Sequence, residues 1–328
     1  MTTAVAAPTF DCRKAFAEEL IDLARADERI VAVCNDSVGS SNLTGFRDEF
    51  PDRLINVGIA EQDLVGVGAG LANAGMIPFV SAAAPFLTGR ALEQIKADAA
   101  YSRVHVVLCG QSPGMAYGEL GPTHHSIEDL SWTRAVADLQ VVVPSDPAQT
   151  RAAVRWAAAI DGPVYLRIPR FPVPAVHPDD VVYLPGTSTV LADGSDVTVI
   201  AIGTLVSRAL AAAEQLRTEG ISLRVIDMAS VEPLDETAVL AAAAQTRGVI
   251  TAEEATVTGG LGAAVATLLA QQHPTPMRIL GIPRQFAPTG SASFLLEHFQ
   301  LTPPHIRDAA RRLVHDNART GTTPARVV

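Results

Sequence analysis

Glu61 stands where a strand-like run over residues 54–57 meets a small-residue helix start, in Val57-Gly58-Ile59-Ala60-Glu61-Gln62-Asp63-Leu64. A carboxyl group in that place has two uses. It can be an acid favoured by the positive end of the helix dipole, or, if buried, a carboxyl whose pKa is raised so that it can serve as an acid or base. The Gly66-Val67-Gly68-Ala69-Gly70-Leu71-Ala72 stretch behind it permits very close backbone packing. A second group, His124-His125, lies in Gly118-Glu119-Leu120-Gly121-Pro122-Thr123-His124-His125-Ser126. Imidazoles titrate near neutral pH, and a glycine- and proline-bounded loop after a strand presents side chains at a sheet edge. Taken alone, such a pair serves either structure or proton transfer. Cys12, Cys34 and Cys109 are odd in number and scattered, which suggests neither a disulfide framework nor a zinc site.

Two α/β blocks must position these groups. In the first, helical periodicity over 14–25 gives way to an apolar strand over 30–34. Further strands are expected over 77–81, 104–109, 139–143 and 164–168, with helices between them over 89–101 and 147–159. In the second block, strands over 197–202, 222–227 and 248–252 alternate with helices over 207–218 and 235–244. This alternation predicts an α/β fold of two domains, each a mainly parallel sheet flanked by helices. The boundaries read as 10–172 and 191–316. Between them lies a proline-rich linker over 173–190, and after them a frayed tail over 317–328.

A chain of 328 residues with 48 % hydrophobic residues can fill about two domains of this kind. The formal charge of -10, with no basic block, argues against a nucleic-acid partner. No apolar run reaches the roughly 18 residues that span a bilayer. The first eight residues lack the basic region and apolar length of a secretory signal. A cytoplasmic protein is the simplest reading of these features.

The Glu61 segment resembles the glutamate motif of the transketolase family of thiamine diphosphate enzymes. In that family a glutamate hydrogen-bonds a ring nitrogen of the cofactor's aminopyrimidine, favouring the tautomer that activates the thiazolium carbon. The cofactor carries the difficult chemistry and the protein places and tunes the acid. Phe86-Leu87-Thr88-Gly89-Arg90-Ala91 resembles a stretch of two-subunit transketolases in which the Phe86 position stacks on the aminopyrimidine. Arg90 reads as an interface or structural charge. Gly-Pro-Thr-His ending at His124 resembles the substrate-facing loop, where the histidine contacts donor hydroxyls and assists proton transfers. Arg13, Ser41 and Arg170 match three phosphate-binding positions of the family. Arginine suits that task because its fork stays charged and pairs bidentately. Asp36 lies near a family aspartate that helps organise the cofactor. In the second block, Thr251-Ala252-Glu253-Glu254 followed by Gly259-Gly260-Leu261-Gly262 resembles the family's C-terminal domain. Those glycines lack a nucleotide-loop spacing and read as a tight turn into a helix.

The resemblance covers residues 10–314 but only part of the usual enzyme. The family domain that holds the cofactor's diphosphate and Mg²⁺ has no counterpart here. The resemblance therefore implies the pyrimidine-binding and C-terminal subunit of a split transketolase, inactive alone. A diphosphate-binding partner would supply the metal ligands, in an assembly of two copies of each chain. The nearest rival is an oxoacid dehydrogenase β subunit, and a rival of another class is a non-catalytic scaffold of the same fold. Three positions depart from the sugar-transketolase pattern: Leu120 replaces an aspartate, Ser112 a histidine, and Ala83 an aromatic. Leucine cannot pair with a substrate hydroxyl. The expected ketose is therefore a branched or unusual phosphate, such as apulose 4-phosphate, whose cleavage leaves a ketone.

Overall fold

The computed structural model describes residues 8–320. The expectation about a leader thus falls mostly outside the described residues. The first block builds a seven-stranded sheet. From edge to edge its strands are Ser230–Glu232, Gln140–Val142, Val164–Ile168, Val107–Gln111, Ile77–Ala83, Ile30–Cys34 and Leu54–Asn56. The six strands contributed by the first block run parallel. Every residue of Ile30–Cys34, Val107–Gln111 and Val164–Ile168 is buried. Such continuous apolar runs are what a parallel sheet covered by helices on both faces requires. The second sheet has five strands, in the order Met277–Ile282, Val249–Thr256, Val197–Ala201, Leu223–Asp227 and Thr189–Ala192. Only the pairing of Thr189–Ala192 is antiparallel.

The blocks are less separate than the sequence suggests. Ser230–Glu232, from the second block, closes the first sheet with an antiparallel edge on Gln140–Val142. One hydrophobic cluster joins Val33, Leu64, Val80 and Leu108 to Ile200, Ile226 and Val265. The proline-rich stretch is tied down at both ends. Val173–Pro174 pairs with Thr9–Phe10, and Thr189–Ala192 becomes the edge of the second sheet. The expected helix over 89–101 is instead divided. Pro85, in a first turn that tolerates it, starts a helix at Ala84–Arg90, which gives way to Leu92–Gln94 and a π-helical stretch, Ile95–Tyr101. At the carboxyl end the helix Pro303–Thr320 runs into the region expected to fray, and residues 321–328 lie outside those described.

Glu61 opens the helix Glu61–Asn73, which lies against Ile77–Ala83. Gly68 is what allows the close approach: a Cβ there would stand 2.4 Å from Val80 Cγ2. The neighbouring Gly70 would meet nothing within 4 Å. One glycine of the small-residue stretch therefore sets the helix-to-sheet distance, and with it the depth at which Glu61 emerges.

Candidate active site

Five of the six parallel strands of the first sheet deliver a candidate group as they end. Asn35 follows Ile30–Cys34, and Glu61 begins the helix after Leu54–Asn56. Phe86 lies in the helix after Ile77–Ala83, Ser112 follows Val107–Gln111, and Arg170 follows Val164–Ile168. Open α/β sheets bind ligands beyond the carboxyl ends of their strands, where the chain's winding reverses. Here the chain passes outward from Ile30–Cys34 to Leu54–Asn56 and returns to Ile77–Ala83 on the other side. Asn35 and Phe86 flank that switch point.

Glu61 is buried, and its carboxylate is held by two side chains. Asn35 Nδ2 donates to Oε1 at 2.8 Å. Arg90 Nη1 lies 3.0 Å from Oε1 and 2.9 Å from Oε2. Burial alone would raise the carboxyl pKa, but the Arg90 and Asn35 donors and the Glu61 backbone N–H outweigh it and hold it below the usual range. Arg90, read from the sequence as an interface or structural charge, is paired with Glu61. Its guanidinium also covers the Phe86 ring, 4.3 Å from the centroid.

Phe86 meets His124 edge-on at 5.1 Å, and His124 meets Tyr117 edge-on at 6.2 Å. Arg170 lies over the Tyr117 ring at 5.0 Å. Glu61, Arg90, Phe86, His124, Tyr117 and Arg170 therefore form one continuous line of contacts, although they span more than a hundred residues of sequence. The histidine loop is braced by the second block, because Gly290 N–H donates to the Gly118 carbonyl at 3.0 Å. His125, unlike His124, turns inward toward that same carbonyl, and burial lowers its pKa. Of the specificity candidates, Leu120 is exposed on the loop. Ser112 is buried, with a positive φ of 55° and an unpaired hydroxyl.

Two of the three expected phosphate residues, Arg13 and Ser41, gather on the other side of Asn35, whereas Arg170 lies at the Tyr117 end. Ser37 Oγ donates to Asn35 Oδ1 at 2.7 Å and lies 3.3 Å from Ser41 Oγ. Arg13 Nη1 donates to the Ser40 carbonyl at 2.9 Å, and Asp11 occupies its other nitrogens. Arg13 thus braces the serine turn with much of its donor capacity already used. Asp36 is the one candidate directed elsewhere. At a φ of 66° it faces solvent and exchanges hydrogen bonds with Asn56, at 3.0 and 3.2 Å. Asn35, its uncharged neighbour, takes the inward position. Sequence reasoning passed over Asn35 and Tyr117. The one signal for Asn35 was its place directly after an all-apolar strand.

These groups fit an aminopyrimidine cofactor. Glu61 offers Oε2, whose side-chain donor is the half-exposed Arg90, and Phe86 offers an aromatic surface beyond that arginine. Gln111 Oε1, Ser112 Oγ and His125 Nδ1 are buried without partners, and buried polar atoms of this kind call for a ligand or water. Among the described residues, no group of three or more His, Cys, Asp or Glu could hold a metal ion. The three cysteines are buried, and burial raises their thiol pKa values, so they are poor nucleophiles. Among the described residues, no helix is long and apolar enough to cross a membrane.

Comparison with known proteins agrees with this fold. Residues 9–174 match the transketolase pyrimidine-binding domain and residues 186–306 the transketolase C-terminal domain. The chain is 42 % identical over 304 residues to an apulose-4-phosphate transketolase subunit of Phocaeicola vulgatus, covering 92 % of this chain and 97 % of that one. It is 38 % identical over 301 residues to a 6-deoxy-6-sulfo-D-fructose transketolase subunit of a Clostridium species, covering 92 % and 94 %. A solved split-gene transketolase, an inactive beta4 tetramer, superposes with a TM-score of 0.87 at 40 % identity, covering 93 % of this chain and 99 % of that one. The transketolase of Leishmania mexicana shares the fold at a TM-score of 0.79 and 23 % identity, and 48 % of its chain corresponds to 99 % of this one. With both domain matches in place and relatives aligned along nearly their whole length, this chain belongs to the transketolase family, of which it carries the pyrimidine-binding and C-terminal domains.

Proposed function

We propose that this chain is the pyrimidine-binding subunit of a two-subunit, thiamine diphosphate-dependent transketolase. It would move a two-carbon ketol unit from a ketose phosphate to an acceptor carbonyl. The observation that carries this reading is the buried Glu61 carboxylate at the switch point, with Phe86 and His124 in one line of contacts from it. When bound, thiamine diphosphate supplies the nucleophilic carbon that accepts the ketol unit. A diphosphate-binding partner, in an assembly of two copies of each chain, would supply the ligands for Mg²⁺.

Within this reading, Glu61 holds at Oε2 the proton shared with the ring nitrogen. Phe86 limits the tilt of the ring. His124 faces the reacting carbons and carries protons to and from the substrate hydroxyls, with Thr123 Oγ1 3.0 Å from its Nδ1. Arg170 and Ser41 bind the phosphate, and Arg13 holds the Ser41 turn. Leu120 gives the loop an apolar rim, which suits a product ketone better than a 2-hydroxyaldehyde. A branched ketose phosphate of the apulose type is therefore the proposed donor. The relative from Phocaeicola vulgatus supports that choice.

The test is to purify this chain with the product of the neighbouring reading frame and assay cleavage of apulose 4-phosphate and xylulose 5-phosphate with thiamine diphosphate and Mg²⁺. Activity is expected only in the mixture, with loss of turnover in Glu61→Ala while the complex still assembles. Full turnover in that variant would overturn the proposal.

A further inference from the structure

Asn35 is buried directly after the strand Ile30–Cys34, and both ends of its amide are engaged. The two ends of a primary amide differ in that one donates and the other accepts. Ser37 Oγ–H donates to Oδ1 at 2.7 Å, which turns the NH₂ group onto Glu61 Oε1 at 2.8 Å. Ser37 is itself flanked by Ser41 Oγ at 3.3 Å. The two oxygens of Glu61 are therefore unequal. Oε1 has a buried side-chain donor in Asn35, whereas the side-chain donor to Oε2 is Arg90, whose side chain is 52 % exposed.

We propose that Asn35 is a positioning residue that anchors Glu61 through Oε1, so that Oε2 is the oxygen presented to the cofactor ring, and that Ser37 fixes which way the Asn35 amide faces. This inference rests on the proposed role of Glu61. The arrangement removes the carboxylate's freedom to flip, so the acid meets the ring nitrogen in one orientation. Arg90, from the helix Ala84–Arg90, is the charged group that faces Glu61. Among the described residues, no other charged or titratable side chain is within hydrogen-bond or ion-pair distance of that carboxylate.

The experiment uses the full chain, alone and with its partner subunit, in wild-type, Asn35→Ala, Asn35→Asp, Ser37→Ala, Glu61→Gln and Glu61→Ala forms. In the chain alone, without cofactor, carboxyl-carbon NMR follows the titration of Glu61, assigned with Glu61→Gln. In the complex, exchange of the thiazolium C2 proton for deuterium is followed against pH. Asn35→Ala should raise the Glu61 midpoint by about half a pH unit, and Asn35→Asp by about one or more, because a carboxylate then replaces a donor. C2 exchange should slow about tenfold or more in Asn35→Ala, with the acid limb of its pH profile moving the same way as the NMR midpoint. Ser37→Ala should move both readouts in the same direction by less. Unmoved midpoints and profiles in both Asn35 variants, with or without a fall in melting temperature, would show a merely structural asparagine and overturn the inference alone. Undiminished exchange in both Glu61 variants would overturn the role of Glu61, and the inference with it.

Discussion

Arg90 spans the Glu61 carboxylate with a single nitrogen, Nη1 lying 3.0 Å from one oxygen and 2.9 Å from the other. Asn35 also reaches Oε1, from a buried position, whereas the Arg90 side chain is half exposed, so the ion pair is the half of the arrangement that can open. Burial pushes the Glu61 pKa up, and Arg90 is the largest influence pushing it down. When Arg90 leaves, the largest influence lowering the pKa goes with it and the acid gains proton affinity, as a proton-sharing role requires. In the free chain the pair has a stability signature. A carboxyl whose folded pKa is lowered contributes stability above its unfolded value and loses it as pH falls through the folded one. Arg90→Ala should therefore lower the melting temperature at pH 7.5, by no more than about 1 kcal/mol of stability because the arginine is half in solvent. The difference from wild type should shrink below about pH 4. Melting curves at pH 7.5 and pH 3.5 check this.

Gly68 offers a sharper mechanical test. Gly68→Ala brings a methyl group to 2.4 Å from Val80 Cγ2, so the helix must move off the sheet. The expected loss is about 1–3 kcal/mol. In the same helix Gly70 has open space, and Gly70→Ala should stabilise by up to about 1 kcal/mol. Denaturant unfolding of both variants decides it, and equal effects would refute the packing account.

A second polar cluster joins the two blocks. His177, from the proline-rich stretch, is buried between Asp146 and Asp227, with Nδ1 and Nε2 each 3.3 Å from a carboxylate oxygen. Asp146 caps the helix Pro147–Ala159, and Asp227 ends a strand of the second sheet. Burial alone would lower the His177 pKa, but the two carboxylates raise it, and burial pushes Asp227 up to about 6. Both shifts have the same sign for stability. A raised histidine stabilises fully below its unfolded value and loses that contribution as pH rises through its folded one. A raised carboxyl destabilises increasingly as pH rises from its unfolded value to about 6. Asp146, whose pKa is lowered, is already ionised throughout this range. His177→Gln should thus lower the melting temperature more at pH 6 than at pH 8.5. The loss at pH 6 should be about 2–4 kcal/mol, since the buried Asp146 carboxylate is left without its cation and Asp227 without its charged partner. An equal loss at both pH values would mean that the imidazole does not change charge between them.

What the sequence disclosed was local. Glu61 and His124 announce themselves because their neighbours within a few residues are distinctive, and the strands over 30–34 and 164–168 because both are continuously apolar. Contacts between distant segments were hidden. Asn35 meets Glu61 across 26 residues, and nothing next to either residue specifies that pairing. The adjacent Asp36 carries the conspicuous charge, but its positive φ turns it outward to Asn56. The strand Ser230–Glu232 is only three residues long and pairs with a partner some ninety positions earlier. Periodicity cannot reveal such an edge. Tyr117 was passed over for a similar reason: a lone tyrosine beside glycines gains meaning only when Arg170 lies over its ring.

Leu120 is where substrate choice should be most open to change. It is 56 % exposed at the end of the short turn Gly118–Leu120, so replacing it leaves no cavity and little strain. The turn is held independently of its side chain, by Gly118 packed against the Gly290 backbone. Leu120→Asp should therefore fold with a melting temperature within about 1–2 °C of wild type, as surface substitutions usually do. Its effect should fall on the acceptor. An aspartate adds an acceptor for a hydroxyl next to the reacting carbonyl, and it leaves an unpaired carboxylate beside a substrate lacking that hydroxyl. Sites that hydrogen-bond a substrate hydroxyl discriminate far more strongly than apolar ones. The ratio of kcat/KM for 2-hydroxyaldehyde acceptors over acceptors lacking that hydroxyl should accordingly rise about tenfold or more in the assembled enzyme. Competition between the two acceptors in one reaction, with products separated and counted, measures that ratio directly. If the ratio is unchanged, Leu120 does not border the reacting carbonyl, and specificity must then be sought at Ser112, the buried and unpaired hydroxyl after Val107–Gln111.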